Sequence, residues 1–146
     1  MDKYPIDLAE DPLQKTWEEL REELDFVEQD GSMAIRRGPS IKNKIKDVGY
    51  MLRILQSGGI KYIGHEVGVY RNVDQIIFQD GENPANEKRG NLVKVDNGWK
   101  VTTEDVDGKV KVCGIWSTSR GAVEAVCGWI YSKKLPELTQ DEMVLG

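Results

Sequence analysis

At 146 residues, with 39% apolar and 31% charged side chains, the chain has the length for one domain with a real core and the composition of an ordinary water-facing protein. No apolar run approaches the roughly 18–20 residues of a membrane span, and the opening MDKYPIDLAEDPLQK has neither the basic nor the apolar region of a signal peptide. A cytoplasmic protein, in a cell or an infected host, that engages no membrane is therefore expected.

The net charge of −5 conceals a division along the chain. Residues 1–31 hold eleven acids against Lys3, Lys15 and Arg21, whereas residues 32–63 hold seven bases against Asp47 alone. Such a split either pairs internally or presents a two-faced field to a partner.

In chain order, Leu13, Trp17, Leu20, Leu24 and Val27 form one apolar stripe at helical spacing, flanked by glutamates. Asp11 before Pro12 predicts the N-cap, and Asp30-Gly31 the end. The following GSMAIRRGPS, residues 31–40, reads as a connector, longer than the two to eight residues usual between paired helices. Ser40 is expected to cap a second helix whose stripe is Ile41, Ile45, Val48, Leu52 and Leu55, ending at Gly58-Gly59. Its flanks are basic, so the two helices are expected to form an antiparallel pair, acidic against basic. Arg36 and Arg37, with Ser40, Lys42 and Lys46 at the helix start, make the first candidate site for a partner or an anion.

From Ile60 the pattern changes to strand formers. Asn97-Gly98 and Asp107-Gly108 between strand-like runs are hairpin signals, because tight turns need positive φ. The expectation is an antiparallel meander of four or five strands, with Gly114 marking a bulge. The polar stretch 80–90 (DGENPANEKRG) reads as a mobile loop. Ala122, Val123, Val126, Trp129 and Ile130 predict a last helix beginning near Ser117–Ser119, packed on one face of the sheet. Its start supplies the second candidate anion site, Ser117, Thr118, Ser119 and Arg120, where free N–H groups could hold a phosphate. Plain capping by Thr118 or Ser119 is the simpler account. The pattern is no Walker A loop, which would need a lysine after its second glycine.

The segment GIWSTSRGAVEAVCGWIYSKK resembles, over about twenty residues, the strand–turn–helix of the RNA/DNA-hybrid-binding domain found ahead of some ribonucleases H. The upstream glycine-arginine element of that family is missing, with Asp107-Gly108-Lys109 in its place, so the resemblance does not assign the chain to the family.

The fold class expected is α+β: an N-terminal helix pair over 12–58, an antiparallel sheet with one helix over 60–132, and a loosely held tail over 133–146, in which Leu135, Leu138, Met143 and Val144 could dock. All of it forms one domain.

Chemistry has little to work with. Cys113 and Cys127 read as free, buried thiols and, with His65 as the only histidine, build no zinc site of usual composition. His65 beside Glu66 reads as structural or exposed, since successive strand residues point to opposite faces. Glu104, Asp105 and Asp107 cluster beside a turn. No catalytic residue, metal or cofactor is expected. The function expected is non-catalytic binding to a protein partner, as adaptor, regulator or inhibitor, of the kind common among phage and mobile-element accessory proteins. The alternative is binding of nucleic acid or a phosphorylated ligand through residues 36–46.

Overall fold

The structure, a computed structural model, describes residues 10–132; the expected tail and its docking residues lie outside the described residues. The chain divides into two units, Met1–Gln56 and Ser57–Gly146.

The first unit holds two helices packed together. Helix α1 runs Pro12–Glu28, and the Asp11 carboxylate accepts the Leu13 N–H at 2.8 Å, the expected cap with proline at the first helical position. Helix α2 runs Gly31–Ser57, so only Gln29 and Asp30 connect the two. GSMAIRRGPS is therefore not a loop but the opening turns of α2. Its cap is Asp30, whose Oδ1 accepts the Ser32 N–H at 3.0 Å, the Met33 N–H at 3.2 Å and the Ser32 hydroxyl at 2.9 Å. Those donors, Met33 first and then the Ser32 hydroxyl and N–H, hold the Asp30 carboxyl below its ordinary range.

Gly38-Pro39 imitates a break, because proline removes one helical hydrogen bond and crowds the carbonyl four residues earlier. The helix runs through it nonetheless, and the cap at Asp30 starts it upstream. Gly38 falls in phase with the stripe 41, 45, 48, 52 and 55, but a Cβ there would meet nothing within 4 Å, so the packing begins at Ile41. Ser40 lies exposed inside the helix and caps nothing. On α1, Leu13 and Val27 are buried, and the Trp17 indole lies against Gly49 of α2, where a Cβ would sit 3.6 Å from its Nε1.

The second unit is a six-stranded antiparallel meander, β1(Gly59–Tyr62), β2(His65–Asn72), β3(Gln75–Asp80), β4(Arg89–Val95), β5(Gly98–Glu104) and β6(Val110–Trp116), in sequential order, followed by α3(Ser119–Ser132). Six strands replace the expected four or five because the first two turns carry residues that conceal them. Ile63-Gly64 and Val73-Asp74 make the β1–β2 and β2–β3 turns, with Ile63 at φ 46° and Val73 at φ 56°. Branched side chains rarely occupy that left-handed region, so neither residue marks a turn by its type.

The register puts Val69, Phe78, Gly90 and Thr103 in one row across the sheet, and Ile76, Leu92, Val101 and Gly114 in the next. Residues paired in this way share a face. This face carries α3: a Cβ at Gly90 would overlap Val126 Cγ1, so helix and strand meet backbone to side chain there. Phe78, Leu92, Trp99 and Val101 beneath the helix are fully buried, as are Ala122 and Val126 above. The expected bulge is present: Val101 pairs with Gly114 and Thr102 with Val112, leaving Cys113 as the extra residue.

Candidate functional site

The first candidate set is divided by the structure. Arg37 pairs with Glu23 of α1 at 2.5 Å and Lys42 with Glu28 at 3.8 Å, all four side chains about half exposed. Part of the basic segment is thus engaged by the acids of the first helix, while Arg36, Lys44 and Lys46 lie exposed along α2. With Ser40 inside the helix, no helix start lies beside these cations except the one already held by Asp30. Exposed pairs contribute only ~0–1 kcal/mol each, so the apolar stripe, not the charges, holds the helices.

At the second candidate, the Thr118 hydroxyl accepts the Gly121 N–H at 3.1 Å, which is plain N-capping of α3. Ser119 is fully buried, while Ser117, Thr118 and Arg120 are exposed. The four are neighbours in space, but the capping hydroxyl is committed to its own helix.

A cluster that no sequence signal assembled lies where β2 starts, β3 ends and α3 finishes. The His65 ring stacks on Tyr131, centroids 4.2 Å apart and planes 10° from parallel, and its Nδ1 lies 2.9 Å from Glu82 Oε1. Glu82, not Glu66, is the carboxylate partner, and Glu66 instead lies 3.7 Å from Lys61. The Tyr131 hydroxyl faces two acceptors, the Glu66 carbonyl at 2.7 Å and Asp80 Oδ1 at 2.9 Å. Burial, then the Asp80 hydrogen bond and the charges of Asp80 and Glu82, push that hydroxyl above the ordinary tyrosine range, so it stays a donor.

Asp80 is the hub. Burial raises its carboxyl, but the Glu82 N–H, the Asn86 amide, the Asn83 N–H and Tyr131 together outweigh burial and hold it below the usual range. The same loop caps the end of α3, Asn86 donating to the Ile130 carbonyl at 3.1 Å and the buried Lys88 ammonium to the Trp129 carbonyl at 2.8 Å. A cation there suits the negative end of the helix. Loop 81–88, expected to be mobile, is stitched to β3 and α3.

Beside it a polar cleft of about 630 Å³ is lined by Asp80, Glu87, Arg89, Glu104, Asp105 and Val106 among others. Two of its carboxylates are spoken for, Asp80 as above and Asp105 by the N–H groups of Asp107 and Lys109. Glu104, Asp105 and Asp107 do not gather with other ligands into a cation site; among the described residues no group of three or more metal-ligating side chains is placed to hold a metal ion. Both cysteines are free; Cys127 is buried, and burial followed by the charge of Glu124 pushes its thiol up to about 12, which suppresses the thiolate a nucleophile needs.

The remaining surface is strand β6. In the sheet order it is an edge, pairing with β5 alone among the described residues. Val110 and Val112 pair with Glu104 and Thr102 on the face away from α3, and they are 62% and 60% exposed. Lys111, opposite Thr103, points to the other side, and alternation places Lys109 with it. An edge strand exposes a row of backbone donors and acceptors on its outer side. Here that row is framed by two bare valines on one side and two exposed lysines on the other.

Comparison with protein-family models, with curated proteins and with solved structures finds no match. No described helix is long and apolar enough to cross a membrane. The alternation in Lys109-Val-Lys-Val112 was visible in the sequence, but it reads as any half-buried strand. Only the sheet order turns it into an edge with its valines outward.

Proposed function

We propose that the chain is a non-catalytic protein-binding module that takes its partner along the outer side of β6, which pairs with β5 alone among the described residues. The observation that carries this reading is the exposure of Val110 and Val112 on an edge strand. Each buried methylene is worth about 0.8 kcal/mol, so covering two valines and satisfying the outer backbone row gives a partner a real incentive to add a strand. Adaptors, regulators and inhibitors all work by such docking.

A second reading, binding of nucleic acid or a phosphorylated ligand by α2, rests on the exposure of Arg36, Lys44 and Lys46. Overall acidity and the engagement of Arg37 and Lys42 weaken the sequence-independent phosphate attraction that such binding uses.

One experiment addresses both. The wild-type chain, a Val110→Lys/Val112→Lys variant and an Arg36→Ala/Arg37→Ala variant are immobilised and exposed to host lysate with and without nuclease. The expected result is a protein retained by the wild type and the arginine variant but not by the β6 variant, with slowed amide exchange in residues 110–116 when it binds. Retention that survives the β6 changes, or that needs nucleic acid and the arginines, overturns the proposal.

A further inference from the structure

The chemistry along β6 also says what kind of segment fits it, given the edge-docking reading above. A strand added to this edge presents its own side chains alternately to the two faces. On one face it meets Val110 and Val112; on the other it meets Lys111 and Lys109. We infer that the natural occupant is an extended segment of a partner protein in which apolar residues alternate with carboxylates, the apolar ones covering the valines and the acids facing the lysines.

Charge decides against the nearest competitor, a second copy of the same edge. Two β6 strands paired about Lys111 would set lysine against lysine, and like charges opposed across strands are destabilising. Lysine on an edge is a common guard against that kind of self-pairing. The bulge at Cys113 twists the far half of the strand and interrupts a continuous ladder. The usable row is therefore short, about Val110 to Val112, since both backbone groups of Lys109 are taken by Asp105, and an occupant of about four residues spans it at roughly 3.3 Å each. The same lysines that repel a like edge attract an acidic one, so selectivity and solubility come from the same two side chains.

The test uses the full chain and three fluorescein-labelled heptapeptides: alternating Glu–Val, alternating Lys–Val, and the Glu–Val composition rearranged into blocks. The Glu–Val peptide is also made with backbone N-methyl groups at alternate residues, in each of the two phases. Binding is read by anisotropy over a salt series, and variant folding is checked by circular dichroism. The expected order is alternating Glu–Val first, weakening as salt rises, with one N-methyl phase tolerated and the other abolishing binding.

Lys109→Glu/Lys111→Glu should weaken Glu–Val binding by about tenfold or more, each exposed ion pair being worth a factor of a few, and should improve Lys–Val binding. Equal binding of Glu–Val and Lys–Val peptides, with the N-methyl phase effect intact, would overturn the acidic occupant while leaving edge docking standing. If no alternating peptide binds, or both N-methyl phases bind alike, the edge-docking reading itself fails. Concentration-dependent dimerisation lost in Val110→Lys/Val112→Lys would assign the edge to a second copy and refute the inference.

Discussion

The close approach of α3 to β4 at Gly90 makes a strict quantitative demand on this fold. A Cβ added at Gly90 would overlap Val126 Cγ1 and lie 3.0 Å from both Val126 Cβ and Cγ2, against an optimal carbon separation of roughly 3.5–4.0 Å. Strand β4 is held between β3 and β5 and cannot retreat within the sheet, so α3 must lift or Val126 must distort. Overpacking of this kind costs about 1–3 kcal/mol, and an overlap on two fixed partners belongs near the top, about 3 kcal/mol for Gly90→Ala. Val126→Ala alone removes two buried methyl groups at about 0.8 kcal/mol each and leaves a cavity, about 2.5 kcal/mol together.

Independent changes would add to about 5.5 kcal/mol. The shortened side chain makes room for most of the new methyl, so the double variant should cost only about 3–4 kcal/mol, a coupling of about 2 kcal/mol. Guanidinium unfolding followed by tryptophan fluorescence reads this unit directly, because Trp99, Trp116 and Trp129 are all buried in it. Additive single effects, or a Gly90→Ala variant within about 0.5 kcal/mol of wild type, would refute the contact as the reason for glycine.

Three further outcomes follow from named contacts. Asp80→Asn should cost about 2 kcal/mol at neutral pH, since the carboxylate serves several donors. Its folded pKa lies below the ordinary 3.8, so that contribution is complete above about 3.8 and is lost as pH falls through the lower folded value; denaturation curves of variant and wild type should converge toward pH 2, and a constant deficit would disprove the assignment. Ile63→Asn should raise stability by about 1 kcal/mol, because it creates an Asn-Gly turn at φ 46° and gives up a side chain that is 81% exposed; a lower melting temperature would show that Ile63 makes a contact of its own. Asp30→Ala should speed amide exchange in the first turn of α2 while Asp30→Asn preserves it, as expected of a cap.

Much of this architecture was legible in the sequence, and where it was not the reason is local. The stripe on α1, its Asp11 cap, the bulge at Gly114, the Thr118 cap and the α+β class all follow from spacing and side-chain chemistry that act within a few residues. The connector at 31–40 did not, because Gly-Pro and a serine gave a coherent loop signal, while the cap that starts the helix is Asp30, upstream of it. The strand count came out below six because Ile63 and Val73 occupy turn positions that branched residues seldom take. His65 was visible but its partners were not: Glu82 and Tyr131 lie 17 and 66 positions away and meet it only through strand pairing and the docking of α3.

By itself, then, the sequence determined which segments carry an apolar face and where α1 and α3 begin, since those depend on periodicity and near neighbours; the start of α2 it placed about nine residues too late. The tertiary structure alone decided which arginines and lysines are paired, why Gly90 must stay a glycine, and which strand is the last in the sheet. The Lys-Val alternation of β6 is the plainest case. Its local chemistry is that of any strand, and only the absence of a seventh strand beside it among the described residues leaves two valines and a backbone row facing outward.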